Sequence, residues 1–177
     1  MLDGIHKIHL IGIGGSGMRA IANILIQKGY DVSGSDIAES AVISKFRDMG
    51  ATVHIGHNKE YVNGVDAIVR STAIREDNPE IVAAKEQGIT ILHRSDIVKA
   101  VLDVTDGISV AGAHGKTSTT SMIGQILVEA NADPTVIIGG EVDYLKGSSC
   151  LGKGHFSVVE ADESDGSFLK LRPHTIV

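Results

Sequence analysis

Residues 6–18 read HKIHLIGIGGSGM, a short apolar run that ends in a cluster of glycines. A run of this length, rich in Ile and Leu, is typical of a strand buried in a parallel sheet. Beyond the glycines, apolar residues recur at helical spacing from Met18 to Ile26, and Gly29 can end that helix. The spacing G-x-G-x-x-G between strand and helix predicts a turn that holds a phosphate at the helix N-terminus.

The alternation of strand and helix continues to about residue 102. Further strands are predicted at residues 30–35, 52–55, 66–71 and 90–92. Helices are predicted at residues 40–49, from the Asn78-Pro79 pair onward, and from a Ser95 cap to Leu102. This order predicts an α/β fold with a Rossmann-like, doubly wound, mostly parallel sheet.

The pattern restarts after a composition break at residues 103–107. Strands are predicted at residues 108–111, 135–138, 156–160 and 174–177. The intervening helix is predicted to present one apolar face made of Met122, Ile123, Ile126 and Leu127. We therefore predict a first domain at residues 1–104 and the start of a P-loop ATPase-type α/β domain at 105–177, cut short at its end.

Charge and composition exclude several classes of function. The net charge is −6 without a basic run, which argues against a nucleic-acid partner. Cys150 is the only cysteine, so neither an intrachain disulfide nor a cysteine-based zinc site is expected. No stretch reaches membrane-spanning length, and the first residues lack a signal-peptide cleavage site. We expect a cytoplasmic protein with small-molecule partners and no membrane partner.

The first glycine cluster predicts a nucleotide-diphosphate site. Its glycines permit a tight turn and close approach of a phosphate, and Asp36 lies 19 positions after Gly17, where such folds place an acid on a ribose hydroxyl. The alternative is a glycine turn needed only for packing. The predicted contacts in this cluster are Gly12, Gly14, Gly15, Ser16, Gly17 and Met18.

A second glycine cluster, GAHGKTS at residues 112–118, also lies between a predicted strand and helix. Val110 stands where a full Walker A motif has glycine, so the element is a shortened P-loop that keeps G-K-T. Lys116 is expected to neutralise phosphate charge and Thr117 to bind magnesium. The alternative is a Ser/Thr-rich helix cap. The predicted ATP-binding residues are Gly112, Ala113, His114, Gly115, Lys116, Thr117 and Ser118.

Residues 160–165, EADESD, place four carboxylates directly after an apolar run. Magnesium prefers a few carboxylates together with phosphate oxygens and water. A metal site beside the P-loop is therefore predicted; the alternative is an acidic surface loop.

Three segments together resemble the Mur ligase family: GIGGSGM at 12–18, GAHGKTSTT at 112–120 and EADESDGSF at 160–168. Gly56-His57, STAI at 71–74, His93-Arg94 and Gly139-Gly140 also look like family segments. The family usually has threonine at the position of Ala113, which removes one hydroxyl near the phosphates but no backbone donor.

The resemblance implies an ATP-dependent ligase of peptidoglycan synthesis, similar to members that join L-alanine to UDP-N-acetylmuramate through an acyl phosphate. It implies that the first domain holds the UDP part of the substrate, with His57, Ser71, Thr72 and Ala73 added to the glycine loop and Asp36. It further implies catalytic roles for Lys116 and Glu160, and Mg²⁺ held by Thr117 and Glu160. Family members also have a C-terminal domain, so we expect this chain to be a fragment that is inactive alone.

Three other functions remain open at this point. A family member that recycles murein tripeptide would share most of these motifs. An NAD-dependent dehydrogenase fits the first glycine loop and Asp36, but leaves the second loop and the acidic run unexplained. A nucleotide-binding regulatory module would need neither the G-K-T loop nor a magnesium carboxylate.

Overall fold

The computed structural model describes residues 1–161 and 166–177, and the chain divides into two compact units. One unit is Leu2–Arg94; the other is Ser95–Val177 together with Met1. The domain boundary predicted at residues 104/105 stays a prediction. Residues 162–165 of the acidic run lie outside the described residues. In the described ranges, no helix is long and apolar enough to cross a membrane.

The first unit is built on a sheet of five parallel strands in the order β3-β2-β1-β4-β5. The strands are β1 (Lys7–Ile11), β2 (Asp31–Asp36), β3 (Thr52–Ile55), β4 (Ala67–Arg70) and β5 (Thr90–His93). The helices are α1 (Ser16–Gln27), α2 (Ala41–Asp48) and α3 (Pro79–Glu86), with a 3₁₀ turn at Lys59–Val62. The predicted parallel α/β fold is confirmed.

Apolar burial and helix caps explain these elements. The central strand β1 is buried from Ile8 to Ile11, because it is flanked by β2 and β4 and covered on both faces. The side chain of Asn78 caps α3, with Pro79 in the first turn, as predicted. One core cluster of the first unit consists of Ile11, Val62, Ile68, Ile81, Ala83 and Ala84.

The second unit contains a mixed sheet in the order β10-β6-β9-β7-β8. Its strands are β6 (Asp106–Val110), β7 (Thr135–Val142), β8 (Gly147–Cys150), β9 (Phe156–Glu160) and β10 (Thr175–Ile176). Its helices are α4 (Arg94–Leu102) and α5 (Lys116–Glu129), with 3₁₀ turns at Asp143–Leu145 and Ser167–Lys170. Among the strands of the described residues, only β8 runs antiparallel to its neighbour, and it was not predicted.

One local prediction is wrong and another is correct only in part. Ser95 does not cap α4, because the helix already begins at Arg94 and Ser95 is buried inside it. Half of the predicted apolar face of α5 is exposed: Met122 is 58% exposed and Ile126 is 66% exposed, whereas Ile123 and Leu127 are half-buried. The fully buried positions of α5 are Thr120 and Gly124. Gly124 lies against Val136 and the Tyr144 hydroxyl, where a Cβ would collide, so side-chain size rather than hydrophobicity selects this face.

Candidate functional site

The first glycine loop connects β1 to α1 at the carboxyl edge of the first sheet. Gly12 leaves the strand at φ +73°, a left-handed conformation that favours glycine. The N–H groups of Gly12 and Ile13 donate to the Ser35 carbonyl at 2.8 and 3.0 Å, which ties the loop to β2. Gly15 occupies the N-cap position of α1 and, being glycine, has no side chain that could accept from the helix N–H groups. This helix start therefore has the features of an anion-binding terminus.

Asp36 shapes the glycine loop through its carboxylate. The Gly14 N–H donates to Oδ2 at 2.8 Å, and the Ile37 N–H donates to Oδ1 at 2.8 Å. A Cβ on Gly14 would lie 3.0 Å from Oδ2, so glycine is needed for this approach. The structure thus brings Asp36 to the loop, while its contact with a ribose stays a prediction.

Two further strand ends approach the same loop. Arg94 follows β5, and its Nη1 lies 2.9 Å from where a Cβ on Gly17 would stand. Ile74 follows β4, and its Cδ1 lies 3.3 Å from the corresponding Cβ position of Gly12. Ile74 closes the segment that contains Ser71, Thr72 and Ala73, so these predicted residues share the edge. Sequence reasoning had not assigned Arg94 to the site, although the His93-Arg94 pair belongs to the resemblance.

A buried carboxylate organises the polar groups under this edge. Glu80 is 0% exposed and lies in the first turn of α3. Its Oε2 accepts from the Ser35 hydroxyl at 2.7 Å and lies 3.1 Å from His9 Nε2. Its Oε1 lies 3.0 Å from His57 Nδ1 and accepts from the Asn58 N–H at 3.2 Å. We call these residues, with Ser33 on the far side of His9, the Glu80 network.

The Glu80 network keeps its carboxylate ionised. Burial alone would raise the pKa of Glu80, but hydrogen bonds with His9, Ser35 and His57 outweigh burial and hold the pKa below its ordinary value. Sequence reasoning missed Glu80. Its only signal was a carboxylate in a first helical turn, which the helix dipole already explains.

The second glycine loop connects β6 to α5 in the other unit. Gly112 has φ +144° and Gly115, the cap residue of α5, has φ +80°, conformations that other residues rarely adopt. Lys116 begins the helix, and its Nζ donates to the Gly112 carbonyl at 2.6 Å. Ala113 and His114 are exposed on the loop. The predicted residues therefore form a glycine-shaped turn at a helix N-terminus.

Three adjacent strands bring the remaining groups of this site together. In the sheet, β9 lies between β6 and β7, so their carboxyl ends are neighbours. Glu160 ends β9, and its Oε1 accepts from the Thr117 hydroxyl at 3.1 Å. The Gly139 N–H in β7 donates to Oε2 of Glu160 at 2.7 Å. Gly139 was not among the predicted site residues, and its only signal was the Gly139-Gly140 pair.

The donor set of this cluster fits magnesium. Thr117 and Glu160 converge as oxygen donors, and Mg²⁺ commonly takes one or two protein oxygens and completes its shell with phosphate and water. In residues 1–161 and 166–177, no group of three or more His, Cys, Asp or Glu side chains forms a metal cage. The two oxygens therefore suit an ion held chiefly by a bound phosphate.

Known proteins match the chain over nearly its full length. It is 49% identical over 173 residues to the UDP-N-acetylmuramate–L-alanine ligase of Sulfurihydrogenibium sp., covering 98% of this chain and 38% of that protein. It is 50% identical over 169 residues to the enzyme of the same name from Desulfotalea psychrophila, covering 95% and 37%. The chain thus spans well under half the length of the curated relatives it matches.

Two solved structures share the fold. The UDP-N-acetylmuramate–alanine ligase of Thermotoga maritima superposes with a TM-score of 0.84 at 33% identity, covering 96% of this chain and 40% of that one. The UDP-N-acetylmuramate:L-alanyl-γ-D-glutamyl-meso-diaminopimelate ligase of Neisseria meningitides gives 0.88 at 28% identity, covering 98% and 60%. The family described as "Mur ligase family, catalytic domain" matches residues 7–104. On these matches and on its two glycine loops, the chain belongs to the Mur ligase family.

Proposed function

We propose that this chain supplies the UDP-substrate-binding domain and the first part of the ATP-binding domain of a cytoplasmic ligase that adds L-alanine to UDP-N-acetylmuramate in peptidoglycan synthesis. One observation carries the proposal: the Thr117 hydroxyl of a G-K-T loop meets Glu160, in a chain whose other glycine loop lies on a separate sheet. Two nucleotide sites suit an enzyme that consumes one nucleotide and binds its substrate through a second nucleotide, which is part of that substrate.

The first loop is the proposed diphosphate site. The N–H groups at the start of α1 and the helix dipole favour an anion there. Arg94, whose guanidinium lies against Gly17, adds positive charge at the same place. Asp36 is proposed to accept a hydrogen bond from the ribose, and His57, Ser71, Thr72 and Ala73 to complete the UDP-substrate site at the edge.

The second loop is the proposed ATP site. ATP bound with Mg²⁺ supplies the phosphoryl group that activates the substrate carboxylate. Lys116 is proposed to exchange the Gly112 carbonyl for the phosphates and to stabilise the charge that moves during transfer. Thr117 and Glu160 are proposed to hold Mg²⁺, with Glu160 kept in place by the Gly139 N–H. A dehydrogenase would leave this second site without a use.

A murein peptide ligase is the second candidate function. The TM-score of 0.88 with the Neisseria meningitides enzyme favours it, whereas the identity of 49% with an L-alanine ligase favours the first proposal. The two candidate functions differ in the amine substrate that is joined to UDP-N-acetylmuramate. In a full-length enzyme that contains this chain, ADP release that depends on L-alanine supports the first proposal. Release that depends on the tripeptide instead supports the second.

Calorimetric titration of the chain with UDP, UDP-N-acetylmuramate and NAD tests the nucleotide assignment. We expect both UDP compounds to bind and NAD to bind more weakly or not at all. Asp36→Asn leaves one of two backbone N–H groups without its acceptor, so UDP affinity should fall by about tenfold, which is about 1.4 kcal/mol. Asp48→Asn, at the exposed end of α2, is the matched control. Tighter binding of NAD than of UDP would overturn the assignment.

A further inference from the structure

The hydrogen atoms of the Glu80 network can be assigned by counting donors. An ionised carboxylate only accepts hydrogen bonds. Ser35 has a single hydroxyl hydrogen, and it is directed to Oε2 of Glu80 at 2.7 Å. Toward any other neighbour, the Ser35 oxygen can therefore act only as an acceptor.

His57 meets two acceptors with the same ring nitrogen. Its Nδ1 lies 3.0 Å from Oε1 of Glu80 and 3.2 Å from the Ser35 oxygen. Since neither oxygen can donate to it, Nδ1 must carry a hydrogen. A neutral His57 therefore has its lone pair on Nε2, on the side of the ring away from Glu80.

His9 is bound to the same carboxylate in the opposite sense. Its Nε2 lies 3.1 Å from Oε2 of Glu80, and its Nδ1 lies 2.9 Å from the Ser33 hydroxyl. Nε2 must donate to the carboxylate, so Nδ1 of neutral His9 accepts from Ser33. The network thus imposes different tautomers on its two histidines, so the ring nitrogens of His9 serve as a reference for those of His57.

The network also fixes where His57 stands. Ser35 binds Glu80 through its hydroxyl, while its carbonyl accepts from Gly12 and Ile13 of the glycine loop. His57 follows β3 at the same sheet edge, and its side chain keeps 21% of its surface exposed. A ligand on the glycine loop would thus lie near the imidazole of His57, which Glu80 holds in a fixed orientation.

From these contacts we infer that Glu80 is a positioning residue, which holds His57 with its hydrogen on Nδ1 so that Nε2 offers a hydrogen-bond acceptor to the bound nucleotide. The group recognised must be a donor: a ribose hydroxyl or the imide N–H of the pyrimidine. Glu80 acts through His57 and does not itself contact the ligand. The inference rests on the proposed UDP site and adds to it the selection of a donor group.

The tautomers are measurable without any ligand. In the ¹⁵N-labelled chain, at a pH where imidazoles are neutral, two-bond ¹H–¹⁵N correlation spectra distinguish protonated from unprotonated ring nitrogens. His57→Asn identifies the His57 signals by their loss. We expect hydrogen on Nδ1 of His57 and on Nε2 of His9. Hydrogen on Nε2 of His57 would overturn the inference, whether or not UDP binds.

Paired substitutions test the contact with the ligand. The amide of Asn reaches about as far as Nδ1, so His57→Asn should keep the bond to Glu80 and lose the contact made by Nε2. The amide of Gln reaches about as far as Nε2. In calorimetric titrations with UDP, we expect His57→Asn to bind about tenfold more weakly than the unsubstituted chain and His57→Gln to lose less. Equal affinity of both variants and the unsubstituted chain would overturn the inference.

Glu80→Ala removes the positioning group and leaves His57 in place, with Glu86→Ala on the exposed side of the same helix as control. We expect mixed His57 tautomers and weaker UDP binding only in Glu80→Ala. If that variant does not fold, the two His57 variants and the spectra of the unsubstituted chain still decide. If the unsubstituted chain binds no UDP, the proposed function fails, while the spectra separately decide the tautomer. An unchanged His57 tautomer in folded Glu80→Ala would overturn the positioning role.

Discussion

The Thr117 hydroxyl lies 3.1 Å from Oε1 and 3.2 Å from Oε2 of Glu160, although the two residues are 43 positions apart in the chain. Parallel pairing of β6 with β9 produces this meeting, since it aligns Val110, the last residue of β6, with Glu160. A hydroxyl and a carboxylate brought together at a sheet edge provide two protein oxygens for a phosphate-bound cation.

Glu160→Gln keeps the side-chain shape and removes its charge. We expect weaker Mg²⁺-dependent ATP binding, partly restored at high magnesium, because a neutral amide oxygen is a poorer ligand for a hard cation. Calorimetric titration with ATP at increasing magnesium measures this. Glu129→Gln, at the exposed end of α5, should behave like the unsubstituted chain. A magnesium dependence unchanged by Glu160→Gln would remove Glu160 from the metal site.

Gly139→Ala tests whether the backbone of β7 positions Glu160. The added Cβ would stand 3.1 Å from Oε2, so the carboxylate must shift by a few tenths of an ångström. We expect Mg²⁺-dependent ATP affinity to fall by about tenfold, or about 1.4 kcal/mol, with UDP affinity unchanged. Gly140→Ala is the neighbouring control, since its Cβ would make an ordinary contact of 3.4 Å with Thr117 Cγ2. Equal effects of both substitutions would contradict a specific role for Gly139.

Lys116→Ala tests electrostatic stabilisation in a full-length ligase that contains this chain. Removal of a fixed positive charge at the start of α5 should lower turnover on the order of a thousandfold. Affinity for the UDP substrate should stay nearly the same, because the two loops belong to different sheets. Steady-state kinetics and UDP titration measure the two effects, with exposed Lys153→Ala as control. Near-normal turnover in folded Lys116→Ala would show that the assigned role is wrong.

Stability below neutral pH should depend on Glu80. Its folded pKa lies below the ordinary value of 4.5, so its contribution is complete above about pH 4.5 and is lost as the pH falls through the folded pKa. In Glu80→Gln, one carbonyl oxygen faces four donors, which should cost about 2 kcal/mol at neutral pH. Urea unfolding near neutral pH and at about pH 3 measures the difference between the two proteins. We expect that difference to shrink at the lower pH; a constant difference would contradict the role of ionised Glu80.

Local patterns were enough to predict most of the fold. Apolar runs bounded by glycine placed the strands of the first sheet within a residue or two of their ends, because such strands are buried on both faces. Strand β8, with the sequence GSSC, was missed because small polar residues have no alternating pattern. The face of α5 was assigned only partly correctly, because its most buried positions are the small residues Gly124 and Thr120, and Gly124 lies too close to Val136 and Tyr144 for a larger side chain.

Site residues could be predicted where they lie within a short contiguous motif of the sequence. The loop containing Lys116 and Thr117 and the carboxylate of Glu160 carry recognisable motifs, and the structure brings Thr117 and Glu160 together. Glu80 carries no motif, and Gly139 is marked only by the Gly139-Gly140 pair. Their importance comes from neighbours that are distant in the chain, such as His9, which lies 71 positions before Glu80. Spacing along a single sequence cannot show such contacts.

The long sequence separation within the Glu80 network has a consequence for folding kinetics. Its bonds join Glu80 to His9 and to Ser35, 71 and 45 positions away, so they can form only after much of the sheet has assembled. Interactions absent from the folding transition state mainly slow unfolding. We therefore expect Glu80→Gln to speed unfolding while leaving the refolding rate nearly unchanged, as stopped-flow measurements in urea can determine. The network would then form late in folding and lengthen the lifetime of the folded first unit.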